Sequence, residues 1–407
     1  MSLDLTSFAP VLKTYYPPDK IEKMIYQDRP LLAMLPKDEG FYGDSSKETT
    51  MYGNPQNISA TFADAQGQSA TSKYAAFILT RAKKYGFGFV DNETIKASQN
   101  DKGAFLRALT EEMDNAIEGV AQALAVDAAR DGSGALGRRA SASTNVITLT
   151  NPEDTRNFEV GMTVEASATK SGGALRTGST TVAAVDSVAG TITLTSAAAI
   201  ISFANNDYLY REGDYDACMS GFQAWIPYDN RASLIAASYF GVTRSSNPTR
   251  LAGVASDLSA LPIEQAVSRA VTLVEAEGGR PDYGFMNFED FEDLRNALGS
   301  KVYYNEVTTS ASQTKYGSIG FSGIRIHGSN GIVTVLADRT IPPGRFFLMT
   351  SRSWKLRSLG PLIDVFDTDS LPFLRQASAD GVEIRLTSYG NLVCRGPAYN
   401  GQFVLRT

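Results

Sequence analysis

The sequence predicts an α+β chain, and three observations carry the prediction. One long amphipathic helix is written over residues 101–130, and a compact stretch of short β-forming runs follows it. The last hundred residues are rich in strands, and helices and strands mix through the chain without a regular βαβ repeat.

With 407 residues, 43% of them hydrophobic and 20% charged, the chain can build two or three domains around real cores. No run approaches the roughly 18 apolar residues that cross a bilayer. The opening MSLDLTSFAPVLKTYYPP has neither the basic start nor the apolar stretch of a secretory signal, so synthesis and folding in a cytoplasm are the default expectation. Cys218 and Cys394 are the two cysteines, read as ordinary reduced thiols that make no metal framework. A net charge of −6 argues against a strong grip on nucleic acid, though not against enclosing it. His327 is the single histidine, and that scarcity weakens most enzyme readings, because histidine is the commonest general base and a preferred metal ligand. The expectation is a protein that works by shape, with no catalytic residues, metal or cofactor.

Residues 1–45 have no sustained period and carry Pro10, Pro17, Pro18, Pro30 and Pro36, which predicts an extended arm with one or two helical turns lying across something else. Residues 46–100 alternate around MYGNPQNISATFADA and KYAAFILTRAKKYGFGFV, with AQGQSATS between them. That pattern predicts a long β-hairpin, either packed within a sheet or reaching a neighbouring subunit. Over 101–132 the apolar stripe of Phe105, Leu109, Met113, Ala116, Ile117, Val120 and Leu124 predicts a helix with Asn100 or Asp101 as its cap, ended near Gly132. Thirty residues would make a rod of about 45 Å. Residues 133–213 turn to small residues with the runs NVITLT, GMTVEAS, TTVAAVDS, GTITLTS and NDYLYRE, which predicts an inserted all-β domain of five or so strands.

In 214–375, LPIEQAVSRAVTLVEAEG predicts a second helix buried through Ile263, Ala266, Val267, Ala270, Val271 and Val274. PDYGFMNFEDFEDLRNALG then predicts strand, turn and short helix. GIRIHG, GIVTVLAD and GRFFLMTS read as strands, as do GVEIRLTSYGNLVCRG and QFVLRT in 376–407.

The motifs that imitate chemistry fail on context. GSGALG, Gly132 to Gly137, matches a dinucleotide loop, but it follows a helix and precedes strands, and Arg138 stands where a phosphate loop needs lysine. Asp364, Asp367 and Asp369 lack the glycine turn and terminal glutamate of a calcium loop and read as a solvated loop. Glu289, Asp290, Glu292 and Asp293 open a helix, where negative charge complements the dipole. The acceptor match Asn57-Ile58-Ser59 is idle without a secretory signal. Lys73, Lys83 and Lys84 fall on the expected hairpin and read as exposed lysines of a strand pair rather than as crosslinking groups.

The order of elements resembles the major capsid proteins of tailed bacteriophages, the Hong Kong 97-type coat fold: arm, long hairpin, spine helix, helix–strand module, long terminal strands. PDYGFMNFEDFEDLRNALG (281–299), GFSGIRIHGSNGIVTVLADRTIPPGRFFLM (320–349) and DGVEIRLTSYGNLVCRGPAYN (380–400) are similar to segments of that family, as is KYAAFILTRAKKYGFGFVDNETIKAS. The resemblance covers most of the chain outside the insertion. It implies a coat subunit that assembles into pentamers and hexamers around packaged double-stranded DNA, in a virion shell built in the host cytoplasm, with no membrane. By region, 1–45 would strap across a neighbour, 46–100 would be the extended loop, 101–132 the peripheral-domain spine helix, 214–375 the axial domain with peripheral connections, and 376–407 the peripheral terminal strands. The absence of a long charged N-terminal coiled segment implies either a separate scaffolding protein or a chain trimmed before sequencing, and Met1 favours the former. A portal protein is implied as well, and the 133–213 insertion could buttress neighbours or bind a decoration protein. Three rivals remain. A tail-tube or adhesin-like β protein fits the long helix poorly, and a serine hydrolase fails because Ser318 and Ser322 lie outside G-x-S-x-G. A two-carboxylate glycosidase survives on composition alone.

Overall fold

The computed structural model describes residues 29–98, 108–197, 202–298, 323–366, 374–376 and 379–406. Residues 1–28, Asn100, Asp101 and Phe105 lie outside them, so most of the expected arm and the expected helix cap do too. Where the chain enters, Pro30–Met34 forms a single helical turn with proline at its start, the one helical position where the missing N–H costs nothing. Leu31, Leu32, Leu35 and Phe41 are buried in the central core, and the Leu31 amide donates to Asp338 Oδ2 at 2.9 Å. Residues 30–41, expected in an arm without a core, are therefore woven into the body.

β1 (Lys37–Asp38) opens the strand series, and β2 (Ser46–Gly53) pairs antiparallel with β3 (Lys73–Leu79). Between β2 and β3 runs a loop with a short helix, Phe62–Gly67. The alternating run expected to be one hairpin arm breaks at Thr80 and Arg81. Its second half, β4 (Ala82–Asp91), leaves the hairpin for another sheet. Alternation alone could not show this, since both halves keep the same period.

A short helix, Asn92–Ser98, precedes the spine helix, whose described part is Ala108–Ala129. Val120 and Leu124 are buried against Ile384 and Leu386, with Met113, Ala116 and Ile117 packed beside them. From Met113 to Leu124 the expected stripe thus does face the sheet. β4 supplies the other half of the contact: Lys84, Gly88 and Val90 are buried while Lys83, Tyr85, Phe87 and Phe89 are exposed. Gly86 lets the helix approach, because a Cβ there would overlap the Val120 γ-methyl. A β-branched side chain in a helix has essentially one rotamer and cannot move aside. We expect Gly86→Ala to cost about 1–3 kcal/mol in urea unfolding. The double variant Gly86→Ala with Val120→Ala should be less destabilised than the sum of the singles, as coupling through one overlap requires.

After the helix, β5 (Ala135–Ser143), β6 (Val146–Leu149), β7 (Thr163–Ser167), β8 (Thr180–Asp186), β9 (Thr191–Leu194) and β10 (Tyr208–Arg211) close into a barrel in the order β10-β5-β6-β9-β8-β7. The five or so expected strands are six. Ile147, Leu149, Val164, Val182, Ile192 and Leu209 fill the interior, as alternation in a small closed barrel demands. The GSGALG run is the neck of this barrel. Gly134 sits at φ +82°, and a side chain there would strike the backbone of Asp214, just past β10 where the chain leaves the barrel. The glycines serve chain entry and exit at one point, not a phosphate.

β11 (Val254–Asp257) and β12 (Tyr283–Met286) come next, on either side of the helix Ile263–Ala276. The helix Phe288–Leu298 leads to β13 (Gly323–His327), β14 (Ile332–Ala337) and β15 (Arg345–Met349). Then follow β16 (Trp354–Ser358), β17 (Asp364–Val365), β18 (Leu374–Arg375), the long β19 (Gly381–Cys394) and β20 (Gly401–Val404). One six-stranded sheet runs β11-β20-β15-β12-β14-β13, covered by the two helices through Ala266, Val267, Ala270, Val271 and Leu294. The other sheet centres on β19, which pairs with β4, β16, β17 and β18, while β1 adds parallel to β16. The two terminal strands, expected together, part company. β19 joins the spine-helix sheet, and β20 sits inside the other sheet between β11 and β15. The central core lies between the sheets, where Phe222 stacks on Phe347 and Trp354 with centroids 4.5 and 4.7 Å away.

Candidate assembly surfaces

The hairpin is rooted firmly and bare at its tip. At its base Phe77 and Leu79 are fully buried, and the Phe77 ring meets Trp225 edge-on at 5.1 Å. The Ile78 amide donates to Phe240 O at 2.9 Å, and Arg250 donates to Tyr52 O at 2.8 Å. Glu48 is buried and takes an ion pair from Arg357 and one from Arg395, the latter at 2.7 Å. Further out, Ile58 is 78% and Phe62 81% exposed, with Tyr74 and Met51 also exposed along the strands. Single exposed apolar residues are ordinary, but two large ones at the loop end of a strand pair whose base is buried are not.

A second bare surface is the outer face of β4. Tyr85, Phe87 and Phe89 are each more than half exposed, the Phe87 and Phe89 rings stack at 6.2 Å, and Tyr389 of β19 meets Tyr85 edge-on at 5.9 Å. These side chains face outward for a simple reason. Successive residues of a strand point to opposite faces, and the spine helix occupies the face of Lys84, Gly88 and Val90. The alternation that predicted a strand contained this aromatic row, but it did not say which face would be covered.

Behind this strand lies a charge node that no local pattern announces. Lys84 is buried, with Nζ 2.8 Å from Asp214 Oδ2, 3.1 Å from Asp127 Oδ2 and 3.4 Å from Cys218 Sγ. The node joins β4, the spine helix and the turn that follows β10. Burial acts to lower the lysine, but the two carboxylates outweigh it and hold the ammonium charged. Burial pushes the Asp127 carboxyl up, Lys84 opposes the shift, and Asp214 competes for the same cation. The Cys218 thiol is pushed up, chiefly by burial, as is that of Cys394. Both cysteines are free. Of the three lysines expected on a hairpin, Lys84 is thus an interior ion partner on another sheet, while Lys73 and Lys83 are exposed.

The remaining candidates take structural places. His327 ends β13, the edge strand of its sheet, and Asp364 pairs in β17, whereas Asp367, Asp369, Ser318 and Ser322 lie outside the described residues. Asn57 accepts from the Ala70 amide at 2.8 Å, across the hairpin loop. Among the described residues, no group of three or more histidine, cysteine, aspartate or glutamate side chains is placed to hold a metal ion, and no helix is long and apolar enough to cross a membrane.

No protein-family model matches the sequence, and no curated protein matches it. Solved structures do match. A chain of the capsid of a native GTA particle is 10% identical, with 100% of both chains covered and a TM-score of 0.54. A chain of the holo-SrpI encapsulin complex from Synechococcus elongatus PCC 7942 is 9% identical over 100% of this chain and 96% of that one, with a TM-score of 0.49. A chain from Mycobacterium phage Bobi is 12% identical over 99% of each, with a TM-score of 0.48. Agreement at 0.54 along the whole of both chains is agreement of fold, and it coincides with the element order already described: the chain is built on the Hong Kong 97-type coat fold.

Proposed function

We propose that this chain is the major coat subunit of a tailed phage, associating as pentamers and hexamers into a closed shell around double-stranded DNA. The observation that carries the reading is the full-length fold agreement with a capsid chain. Two bare surfaces support it, the hairpin tip and the aromatic face of β4, because both become explicable when their partners are other copies. In this reading the chain N-terminal to Pro30 straps a neighbour, the hairpin overlaps an adjacent subunit, and the sheet of β11 to β15 with β20 surrounds the five- and sixfold centres. The barrel faces outward as a buttress or as a seat for a decoration protein, with scaffolding and portal proteins supplied separately and assembly taking place in the host cytoplasm. A net charge of −6 suits a wall that does not hold the packaged DNA by phosphate contacts. The role is structural rather than catalytic.

Negative-stain electron microscopy and sedimentation of the purified protein, alone and beside candidate scaffolding proteins, test the reading. Rings or closed shells tens of nanometres wide are expected. A protein that stays monomeric or dimeric under every condition would remove it.

A further inference from the structure

Away from the bare surfaces, carboxylates from two separate parts of the fold converge on one arginine. Arg406, just past β20, has Nε 2.8 Å from Asp290 Oδ1 and Nη2 2.8 Å from Glu289 Oε2. Its guanidinium also lies 4.0 Å from Asp293 and 3.8 Å from Glu153. Glu289, Asp290 and Asp293 belong to the first turns of the Phe288–Leu298 helix, whereas Glu153 belongs to the 3-10 turn Pro152–Asn157 of the barrel. This seam is one of the places where the inserted barrel meets the rest of the chain; on the same turn Asp154 takes an ion pair from Arg130 at 2.8 Å. The acidic run that sequence reading assigned to the helix dipole is therefore also half of an interdomain contact.

The charges at the seam do not balance. Four carboxylates face two guanidiniums, those of Arg406 and of Arg156 on the barrel's own turn, the latter 4.0 Å from Glu153. Arg339 reaches in as well, donating to Arg156 O and lying 4.0 Å from Glu159. Asp290 is fully buried and accepts from the Gly344 amide at 2.8 Å. Glu153 is the outlier. It is 9% exposed, no N–H or hydroxyl among the described residues donates to either of its carboxyl oxygens, and the Glu289 carboxyl lies against it. An ionised carboxylate placed so, with a second carboxylate beside it, is costly, and a proton removes most of the cost. A cleft lined by Arg156, Glu159, Val160, Phe288 and Arg339 opens beside the seam, so water can reach it.

We propose that a proton on Glu153 latches the inserted barrel to the Phe288–Leu298 helix, and that its loss releases this seam. The latch is a property of the single chain and holds whether or not the chain builds shells. Burial first, and the neighbouring Glu289 second, push the Glu153 carboxyl up to about 8 from an ordinary value of 4.5. Glu289 is held ionised by its contacts with Glu153 and Arg406. Glu153 is an acid whose value is raised on folding. Its contribution is complete below the unfolded value, declines as pH rises through the interval, and is gone above about 8. Acid closes the seam and alkali opens it.

Hydrogen exchange read by mass spectrometry on the full chain, at about pH 6 and about pH 9 and corrected for intrinsic exchange, tests the latch. Amides of 152–157 and 288–298 should lose about tenfold in protection at the higher pH, the equivalent of one pKa unit. Amides of β6 and β9, inside the barrel, should not. Glu153→Gln, which mimics the protonated form, should keep the seam protected at both values. Equal protection of the wild-type seam at both values overturns the proposal, and that comparison stands even if the variant fails to fold. A variant that opens with alkali as the wild type does would place the proton elsewhere and overturn it equally.

Discussion

Replacing Ile58 and Phe62 together by aspartate is expected to abolish shell formation while leaving the melting temperature of the isolated subunit unchanged within about a degree. The two side chains are 78% and 81% exposed, so the single chain loses almost no buried area when they go. Surface changes away from the core ordinarily stay within about 0.5 kcal/mol. In an assembled shell the balance reverses. Burying each such side chain on a neighbour is worth roughly 1.5–3 kcal/mol, and an aspartate carried into the same contact would have to shed its water. Sedimentation of the variant beside the wild type, with thermal unfolding of both, reads the two effects separately. Normal shells from the double variant would show that the hairpin tip is not an assembly contact. A melting temperature lowered by many degrees would show that the tip packs against its own subunit.

The second large effect lies in the interior. Lys84→Met should destabilise the subunit by about 3–5 kcal/mol at neutral pH, because it leaves Asp127 and Asp214 buried without their cation. The loss should be distinctly pH-dependent. Burial already pushes Asp127 up while Lys84 opposes the shift, so removing the lysine raises the carboxyl further. A raised acid contributes stability below its unfolded value and loses it as pH rises, so the gap between variant and wild type should narrow on acidification from about pH 7 to about pH 5. Urea unfolding at the two pH values measures this. A constant gap would mean that the cost is lost packing of the lysine stem rather than unpaired charge.

What could be read from the sequence differs element by element. The spine helix was legible because Met113, Ala116, Ile117, Val120 and Leu124 repeat at the helical period, and that face is the one that meets Ile384 and Leu386. The helix Ile263–Ala276 was legible for the same reason: Ala266, Val267, Ala270, Val271 and Val274 are buried as expected, whereas Ile263 is only partly so and the buried Glu275 was not foreseen. The strands of the final hundred residues were marked by β-branched and aromatic runs between glycine turns. Less was visible where the chain changes sheet without changing period. The break at Thr80 and Arg81 separates two runs of identical alternation, and β20 looks like the partner of β19 until β11 and β15 take it. Residues 30–41 looked like an arm because proline interrupts any period there, yet Leu31, Leu32 and Leu35 fill the central core.

By itself, then, the sequence determined the α+β class, the longer helices and most strands, and the presence of a β insertion, though not the short helices such as Phe222–Trp225 and Pro248–Ala252. Each of these depends on residues near one another in the chain. Tertiary structure alone decided which face of β4 would be covered, and hence that Tyr85, Phe87 and Phe89 would stand in solvent. It also brought Lys84 to Asp127 and Asp214, and Arg406 to Glu153, Glu289 and Asp290. The physical reason is the same in each case. Periodicity reports how a segment meets a surface, whereas a buried charge node depends on which segments the fold brings together from across the chain.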